Sequence, residues 1–318
     1  MSLRVVDAVQ ILTEGGIVGM PTETVYGLAA NAFRADAIAK VFEAKERPWF
    51  DPLIVHLPSP DWLSRVASSI PPAAMDLAQK FWPGPLTLVL PKRPEIPDLV
   101  TAGLPTVAVR IPAHPLALEL IRACDFPLAA PSANLFGKVS PTCAQDVWNQ
   151  LDGRISGVLD GGPCEVGVES SIVDLTGAQP TLLRPGGLAK EELEMILGPL
   201  ALPHRTSSPA GAAMSAPGSC SRHYSPETPL HPVGSFHIAD KSHVGLIAFG
   251  PDHPERFGFA VVENLSPNGD LHEAATHLYS TLRKLDAQEL EQILVEPIPE
   301  YGLGLAINDR LRRASTRD

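Results

Sequence analysis

The stretch GIVGMPTETVYGLAANAF, residues 16–33, decides how the first part of this chain folds. It begins with an apolar run, residues 17–20, and a short run of this kind beside turn residues is typical of a buried strand. Pro21 ends the run, and residues 22–27 then bring threonine hydroxyls, a carboxylate and a tyrosine into a loop. Because ligands of α/β proteins bind outside the carboxyl ends of strands, we expect this loop to border a binding site.

Helix-like and strand-like segments alternate over roughly the first two thirds of the chain. The helix-like segments are residues 35–48, 72–82, 115–125 and 144–153. The strand-like segments are residues 52–57, 85–90, 106–111, 126–132, 157–162 and 170–175. This alternation predicts an α/β or α+β domain with a mixed sheet.

Residues 203–226, PHRTSSPAGAAMSAPGSCSRHYSP, interrupt the alternation. They are rich in Pro, Ser, Gly and Ala and have no hydrophobic period, which predicts a linker. The linker ends in Arg222, His223 and Tyr224, a cluster of polar and aromatic side chains. Because a mere spacer would not need such a cluster, we expect this end of the linker to have a further role.

The residues after the linker predict a small Rossmann-like βαβ domain. They contain alternating strand-like and helix-like segments at residues 243–250, 259–265, 270–288, 292–299 and 302–315. In the last segment we expect Arg310, Arg312 and Arg313 to form a solvated helix end. The chain thus divides into a first domain, a linker and a second domain, at residues 1–202, 203–226 and 227–318.

The composition excludes several classes of protein. With 318 residues, 44% of them hydrophobic, the chain can bury sizeable cores and is unlike a disordered protein. No apolar run approaches the ~18 residues of a membrane span, and the N-terminal residues fit an amphipathic helix better than a signal peptide. The formal net charge of −11 disfavours tight binding of polynucleotides, because such binding needs many cations.

The cysteines and histidines argue against a metal centre. The cysteines are scattered without a C-x-x-C pair, and the histidines have no metal-ligand spacing. We therefore expect a cytoplasmic protein with free thiols, without a zinc site or a disulfide framework. The cysteines are Cys124, Cys143, Cys164 and Cys220.

Lys45, Arg47 and His56 form the first candidate site, in the segment AKERPWFDPLIVH. Pro48 forces the chain out of a helix directly after the two cations. A lysine beside a forked guanidinium suits a phosphate chain. Cations also suit the dipole at a helix C-terminus, and the spacing leaves both interpretations open. His56 lies in an apolar strand, where a spare imidazole is costly.

Arg110, in VAVRIPAHP, is the second candidate. An arginine embedded in an apolar strand is rarely unpaired. It can bind an anionic ligand or close a structural ion pair, and the sequence alone does not decide between them.

Polar clusters at three further strand ends complete the candidate set. They are Ser132, Asn134 and Ser140; Glu169, Ser170 and Ser171; and Arg184 before a Pro-Gly turn. Each cluster alone could serve only the local backbone. Together, the clusters at strand ends predict a cleft over one sheet edge that takes a polyanion and a second ligand with a carboxylate. The sequence has no phosphate loop, nucleophile elbow or kinase signature, so a nucleotide would bind by another route.

The motifs together resemble those of the YrdC-like threonylcarbamoyl-AMP synthases. In that family the following motifs occur in the same order: PTETVYGLAANAF, KERPxxxPLIVH, FWPGPLTLVL, TVAVRIPAHP, PSAN, GVESSIVDL and LLRPG. The resemblance resumes at APGSCSRHYSP and GLGLAINDRLRRAS, as in the longer, two-domain form. It implies a YrdC-like domain with a twisted mixed sheet and an open cleft, joined by a long linker to the small α/β domain.

The resemblance implies a reaction and its partners. Members of this family combine L-threonine, bicarbonate or CO₂, and ATP into L-threonylcarbamoyladenylate and pyrophosphate. The chain would thus be a nucleotidyltransferase. A downstream complex, bound only transiently, then transfers the threonylcarbamoyl group to the tRNA adenosine beside the anticodon. Mg²⁺ is expected to enter with ATP, and no stable tRNA binding or membrane association is expected.

The resemblance also implies roles for individual residues. Lys45 and Arg47 are expected to be catalytic and to hold ATP phosphates. The rest of the ATP site would be Asp51, Thr106, Ser132, Asn134, Ser140, Arg184 and Tyr224, the last as part of a lid. Threonine would be held by Thr24, His56, Arg110, Ala130 and Ser170. No covalent nucleophile is required, because positioning and charge neutralisation supply the catalysis.

Two positions depart from the family pattern. Asp51 stands where the family usually has Asn, and a carboxylate beside phosphates is repulsive unless a cation intervenes. Asp51 thus either contacts Mg²⁺ or turns away, and our hypothesis is the first. The linker before Arg222 is less bulky and less basic than usual, which predicts looser lid closure.

Two rival functions are disfavoured. Carbamoyl-adenylate formation, as in the related hydrogenase-maturation carbamoyltransferases, goes with additional modules and a C-x-x-C array that this chain lacks. A non-enzymatic RNA-binding YrdC-like module is disfavoured by the net charge and by the lack of an aromatic-basic stripe.

Overall fold

Two β-sheets organise the chain. The computed structural model describes residues 2–202, 214, 222–235, 238 and 240–316. The first sheet ends at Arg184, and the second begins at Leu230. Most of the predicted linker lies outside the described residues, as does Cys220.

Among the described residues, the first sheet has eight strands. They are β1 (Val18–Met20), β2 (Gly27–Asn31), β3 (Ile54–His56), β4 (Leu86–Pro91), β5 (Thr106–Arg110), β6 (Leu128–Ala129), β7 (Ser171–Asp174) and β8 (Thr181–Arg184). Their order across the sheet is β1-β2-β6-β3-β5-β4-β7-β8. The pairs β3–β5 and β4–β7 are parallel and the other neighbours are antiparallel, so the sheet is mixed as predicted.

Helices cover both faces of this sheet. They are α1 (Val5–Thr13), α2 (Ala35–Lys45), α3 (Leu63–Val66), α4 (Pro72–Phe81), α5 (Asp98–Thr101), α6 (Pro115–Cys124), α7 (Ala144–Leu151) and α8 (Lys190–Leu197). Strand side chains alternate between the faces, so Leu28 joins the core under α2 and α4, and Ala29 joins the core under α1 and α6. Proline at the first position of α4 and of α6 suits a helix start.

Two segments differ from the sequence-based prediction. Residues 157–162 form no strand, because Val158 makes only isolated bridges with Ser2 and Gly19. Gly27–Asn31 was not predicted as a strand, since it contains a glycine and two alanines and no β-branched residue. It forms β2, which runs back along β1 with Met20 opposite Gly27. The loop between β1 and β2 therefore stands at the end of a hairpin.

The second sheet, as far as the chain is described, has four parallel strands in the order β11-β10-β12-β9. The strands are β9 (Leu230–Pro232), β10 (Val244–Ala248), β11 (Val261–Asn264) and β12 (Gln292–Val295), and the helices are α9 (Leu271–Asp286) and α10 (Gly304–Ser315). Asp270 caps α9 by accepting a hydrogen bond from the backbone N–H of His272 at 2.7 Å. Parallel strands with an intervening helix match the expected Rossmann-like architecture.

The two parts of the chain share an apolar core. Val25, Val139 and Val168 of the first part belong to one buried cluster with side chains of α9 and α10. At Gly167 an added Cβ would lie 2.4 Å from the Cα of Thr276, so only glycine permits this close approach. Packing therefore fixes α9 and α10 against the first sheet.

One sequence-based expectation about α10 is wrong. Arg310 is fully buried, whereas Arg312 is about half exposed. Arg310 points into the junction with the first part of the chain, where it meets Glu169. Arg313 is only partly exposed and pairs with Asp309 at 3.0 Å, so of the three arginines Arg312 alone fits the predicted solvated end. Within the described residues, no helix has the length and apolar character needed to cross a membrane.

Candidate active site

A cleft lies where the β1–β2 loop meets the ends of strands β3, β5, β7 and β8. The lining residues are Thr22, Thr24, Val25, Gly27, Arg47, Ile54, His56, Arg110, Ala130, Pro131, Ser132, Glu169, Ser170, Arg184, His223 and Tyr224. The space left between them is about 50 Å³, enough for a few water molecules. The described residues therefore leave a narrow cleft between them.

The register of the sheet brings three polar side chains into one row. His56 of β3 lies beside Arg110 of β5, and Arg110 lies beside Thr87 of β4. The hydroxyl of Thr87 is 2.7 Å from that of Ser170, which directly precedes β7. Strand pairing thus places residues from distant parts of the sequence next to one another.

The β1–β2 loop is held by its own threonines. The Thr22 hydroxyl donates to the carbonyl of Val25 at 2.6 Å, and its oxygen accepts from the backbone N–H of Thr24 and of Val25, each at 3.2 Å. Such side-chain to backbone bonds fix a turn. The turn directs the buried Thr24 hydroxyl to Arg110, which donates to it at 2.8 Å.

Arg110 has an internal anionic partner. Its Nη2 lies 2.6 Å from a carboxylate oxygen of Glu23, and its Nε donates to the carbonyl of Gly84 at 3.2 Å. Of the two possibilities left open by the sequence, the structural ion pair is present, and the guanidinium also lines the cleft. The sequence reasoning missed Glu23. Its signal was a carboxylate in a short loop directly after an apolar strand, at the same sheet edge as a buried arginine.

His56 is uncharged in this environment. Burial, assisted by the nearby Arg110 charge, lowers the pKa of His56 to about 3. Its Nδ1 lies 3.2 Å from the carbonyl oxygen of Ile54. A neutral imidazole therefore faces the cleft at neutral pH.

Lys45 is the last residue of α2, and Arg47 follows one residue beyond it. Between them, Glu46 adopts the left-handed conformation, with φ of 54°, and ends the helix. The turn lets Lys45 donate to the carbonyls of Ser132 and Asn134, both at 2.5 Å. Burial, with the Arg47 charge nearby, holds the pKa of Lys45 well below its usual value. Lys45 does not itself line the cleft; it is buried and contacts the backbone of Ser132, which does.

Asp51 pairs with Arg47 rather than facing open space. The two side chains are 2.9 Å apart and both are almost fully buried. Arg47 also donates to the backbone carbonyls of Asp51 and Pro52, at 3.1 and 2.8 Å. The described part of the chain contains no group of three or more His, Cys, Asp or Glu side chains that could hold a metal ion.

Arg184 and Ser170 are connected across the β7–β8 end. Arg184 donates through Nε and Nη2 to the Ser170 carbonyl, at 3.2 and 3.0 Å. Its Nη2 also approaches the Ser170 hydroxyl at 3.3 Å. Both residues are buried, so the Arg184 charge is presented at a fixed position in the cleft wall.

Glu169 is the acceptor for three donors. Ser140 donates to one oxygen at 2.6 Å, while Tyr279 and Arg310 donate to the other at 2.8 and 2.9 Å. Burial alone would raise the pKa of Glu169, but the Arg310 and Arg184 charges outweigh it and lower the pKa to about 2. The carboxylate is therefore ionised. The sequence marked Glu169 only as a polar residue at a strand start, without a role.

His223 and Tyr224, from the end of the predicted linker, fill part of the cleft. Tyr224 has φ of 61°, in the left-handed region that non-glycine residues rarely adopt. Its ring packs against His223 at 4.0 Å and against Tyr279 at 5.7 Å. The buried His223 Nδ1 and Asn134 Oδ1 have no hydrogen-bond partner among the described residues, so a bound ligand could supply one.

The structure brings most of the predicted site residues together. Thr24, Arg47, His56, Arg110, Ala130, Ser132, Ser170, Arg184 and Tyr224 line the cleft. Lys45, Asp51, Asn134 and Ser140 are buried and contact the lining residues or their backbone neighbours. Thr106 does not line the cleft: it is half-buried at the start of β5, two positions before the Ala108 that pairs with Ile54.

Comparison with known proteins finds relatives over the whole chain. A family profile described as "Telomere recombination" matches residues 10–186, and one described as "Threonylcarbamoyl-AMP synthase, C-terminal domain" matches residues 188–316. A Pyrococcus abyssi protein named threonylcarbamoyl-AMP synthase is 43% identical, over 97% of this chain and 93% of its own. A Bacillus subtilis protein of the same name is 42% identical, over 98% and 93%.

A solved structure shares the fold. The crystal structure of Pyrococcus abyssi Sua5 complexed with L-threonine has a TM-score of 0.89 to this chain at 42% sequence identity. The similarity covers 98% of this chain and 94% of that one. Both domains and their arrangement are therefore shared.

Proposed function

This chain belongs to the threonylcarbamoyl-AMP synthase family, and on that premise we propose that it joins L-threonine, bicarbonate and ATP into threonylcarbamoyl-AMP and pyrophosphate. It is thus a nucleotidyltransferase. The observation that carries the proposal is that one cleft presents Arg47 and Arg184 beside the Thr24–Arg110 pair. The first two cations suit a triphosphate and the pair suits an amino acid.

The Arg110 side of the cleft holds L-threonine. Its guanidinium fork matches the geometry of a carboxylate, and the substrate carboxylate competes with Glu23 for it. The neutral His56 imidazole adds no charge that would repel the substrate ammonium group. The hydroxyls of Thr24 and Ser170 face a substrate that itself carries a hydroxyl. The relative solved with L-threonine supports this choice of amino acid.

The Lys45 and Arg47 side holds the ATP phosphates. Both cations now donate to backbone carbonyls, and phosphate oxygens are stronger acceptors that take their place. Ser132, Asn134, Ser140, Arg184 and Tyr224 complete the nucleotide site, with Asp51 behind Arg47. Thr106 was expected in this set, but it does not line the cleft among the described residues, so we assign it no contact with ATP.

Catalysis depends on holding the reacting groups in position, and no covalent nucleophile is needed. The ammonium group of threonine releases a proton to solvent, and bicarbonate takes up a proton and loses water to give CO₂. The amine nitrogen then bonds to the carbon of CO₂ as one C–O π bond opens onto oxygen, and the nitrogen releases a second proton, which leaves a carbamate. A carbamate oxygen then attacks the α-phosphorus of ATP, and the bond to the β-phosphate oxygen breaks. Lys45 and Arg47, as the catalytic residues, neutralise the charge that builds up on the departing pyrophosphate, together with Arg184.

Within the part of the chain that the structure describes, no cluster of His, Cys, Asp or Glu side chains offers Mg²⁺ a ligand set. Asp51 is paired with Arg47, which does not fit our hypothesis of a direct metal contact. Mg²⁺ in this proposal is held by the phosphates of ATP, whose charge it partly neutralises when bound. No step requires a protein ligand to the metal.

The product, threonylcarbamoyl-AMP, is the substrate of a later group-transfer reaction. A mixed carboxylic-phosphoric anhydride such as threonylcarbamoyl-AMP is an activated acyl donor, and we propose that a transiently bound complex passes its threonylcarbamoyl group to a tRNA adenosine. The free thiols of Cys124, Cys143 and Cys164 fit a reducing compartment, so we place the protein in the cytoplasm.

Pyrophosphate release tests the proposed function. Wild-type protein should release pyrophosphate from ATP only when both threonine and bicarbonate are present. Arg110→Lys keeps the charge but loses the fork, so it should raise the KM for threonine by about tenfold and leave the KM for ATP within about twofold. Arg93→Lys, at a surface ion pair with Glu95, is the matched control and should change neither. Release without threonine would overturn the proposal.

A further inference from the structure

We propose that Arg310, in the last helix of the chain, is a positioning residue of the nucleotide site. It acts through Glu169, whose charge it offsets at the cleft wall. This inference rests on the proposed function, because it assigns a role in ATP binding to the C-terminal domain. Arg310 does not itself line the cleft among the described residues.

Arg310 joins the two strand ends that present cleft residues. Its Nε donates to Glu169, the residue before Ser170, at 2.9 Å. Its Nη1 donates at 2.7 Å to the carbonyl of Pro185, the residue after Arg184. One guanidinium therefore bridges the side chain of Glu169, which precedes Ser170, and the backbone of Pro185, which follows Arg184.

The burial of Arg310 calls for a reason beyond domain packing. The side chain is fully buried, and apolar side chains would hold two domains together without the cost of dehydrating a charge. The apolar cluster around Tyr279 and Ile307 already performs that packing. A fully buried arginine is explained by the fully ionised carboxylate that it faces.

Glu169 connects Arg310 to residues of the nucleotide site. Its other oxygen accepts from Ser140, one of the residues proposed to hold ATP, at 2.6 Å. Tyr279 donates to the same oxygen as Arg310, and its ring stacks on Tyr224 at 5.7 Å. Arg310 lies 5.3 Å from the centre of the Tyr224 ring. The C-terminal domain thus supports both Ser140 and the aromatic side chain that covers the cleft.

The negative charge of Glu169 explains why its contact with Arg310 should affect the binding of ATP. Glu169 lines the cleft, and a triphosphate bound there would be repelled by an uncompensated carboxylate. Arg310 and Arg184 are the charges that compensate it. Removing Arg310 should therefore weaken ATP binding selectively, because the threonine side of the cleft has its own cation, Arg110.

The test is Arg310→Met, assayed by pyrophosphate release with ATP and threonine varied in turn. We expect the KM for ATP to rise at least tenfold and the KM for threonine to change less than threefold. Arg312→Met is the matched control: it lies on the same helix, is about half exposed, and approaches Asp309 but not Glu169. It should leave both constants within twofold of wild type.

A double variant separates charge compensation from general damage to the fold. In Glu169→Gln the side chain carries no charge; its amide oxygen still accepts from one of the two hydroxyls, Ser140 or Tyr279, and its NH₂ group donates to the other. In Arg310→Met/Glu169→Gln the KM for ATP should therefore return to within about threefold of wild type. An ATP KM in Arg310→Met within twofold of wild type would overturn the inference, as would a double variant no better than Arg310→Met.

A third variant is used if Arg310→Met does not fold, and a binding measurement is used if the wild-type protein makes no pyrophosphate. If Arg310→Met does not fold, Tyr279→Phe removes one donor to Glu169 while keeping the ring, and it should raise the KM for ATP at least threefold. An unchanged KM there counts against the inference. If wild-type protein fails to make pyrophosphate, the proposed function falls, yet calorimetric titration of the same variants with ATP still tests the Arg310–Glu169 link.

Discussion

At the scale of residues, each buried charge of the cleft already has a protein partner. Arg47 pairs with Asp51, and Arg110 pairs with Glu23. Lys45 donates to two backbone carbonyls. Because burying an unpaired charge is costly, these contacts keep the narrow cleft stable. Substrate binding therefore exchanges partners, and its free energy is the difference between the two sets of contacts.

Asp51→Asn tests whether this carboxylate serves Arg47 or Mg²⁺. Since Asp51 forms an ion pair with Arg47, the Mg²⁺ concentration for half-maximal pyrophosphate release by Asp51→Asn should stay within about twofold of wild type. The KM for ATP should fall about threefold, because the Arg47 charge becomes available to the phosphates. Asp98→Asn, at an exposed pair with Lys92, is the control. A rise in the required Mg²⁺ by tenfold would assign Asp51 to the metal instead.

His56 should make stability depend on pH. Its pKa is about 3 in the folded protein, so the unfolded chain takes up a proton below pH 6.5 that the folded chain refuses. The free energy of unfolding should therefore be constant above pH 6.5 and fall between pH 6.5 and 3. From pH 7.5 to 5.0 this one group accounts for a loss of about 2 kcal/mol.

Urea unfolding at pH 7.5 and 5.0 checks the His56 prediction. The variant His56→Gln should lose about that share of the pH dependence, while Glu169 contributes only below its unfolded pKa near 4.5. Equal pH dependence in variant and wild type would show that the pKa of His56 does not differ between the folded and the unfolded protein. The rate of pyrophosphate release should likewise show no inflection from His56 near pH 6.5.

At the scale of elements, the cleft depends on how closely the end of β8 approaches the start of β7. An added Cβ at Gly186 would lie 2.3 Å from the carbonyl oxygen of Glu169. That space is filled by backbone atoms, which cannot move aside as a flexible side chain can. The glycine therefore sets the distance between the strand ends that carry Ser170 and Arg184.

Gly186→Ala should push these strand ends apart. We expect a loss of about 1–3 kcal/mol in the free energy of unfolding, the usual cost of overpacking, together with weaker binding of both substrates. Gly177→Ala is the matched control, because its added Cβ would meet its nearest neighbour at an ordinary 3.7 Å. Thermal unfolding and the two KM values measure the difference. Equal stability of the two variants would contradict the account.

The sequence predicted the elements better than the pairs between them. Amphipathic periodicity indicated α2, α4, α6, α7 and α9, and apolar runs indicated most strands. Strand β2 was not predicted, because its glycine and alanine residues have a low propensity for strands. Glu23 and Arg310 were missed for a different reason: their partners, Arg110 and Glu169, are distant in sequence, and local spacing contains no information on such contacts. Tertiary packing alone brings these charges together.

At the scale of the whole molecule, the shared core should make both domains unfold together. All four tryptophans lie in the first 148 residues, so tryptophan fluorescence reports on the first domain, while far-UV circular dichroism reports on both. Because Val25, Val139 and Val168 pack into the core of the second domain, the two signals should give one coincident transition in urea. Separate midpoints would mean that the domains are independent.

The domain interface also bears on what the second domain does. Arg283 of α9 donates to the carbonyl of Ser140 at 2.7 Å and pairs with Asp146 at 2.6 Å. With Tyr279 and Arg310, it makes a third polar link between the second domain and the segments behind the cleft. The second domain is therefore built into the support of the active site, rather than attached to the catalytic domain only through the linker.

The most direct measurement follows one carbon atom. Protein is incubated with ATP, L-threonine and ¹³C-bicarbonate, and the adenylate formed is identified by mass spectrometry. The account predicts threonylcarbamoyl-AMP that carries the label in its carbamoyl carbon, with pyrophosphate formed in equal amount. An unlabelled threonyl-adenylate, in which threonine is activated without incorporation of the carbon, would contradict it.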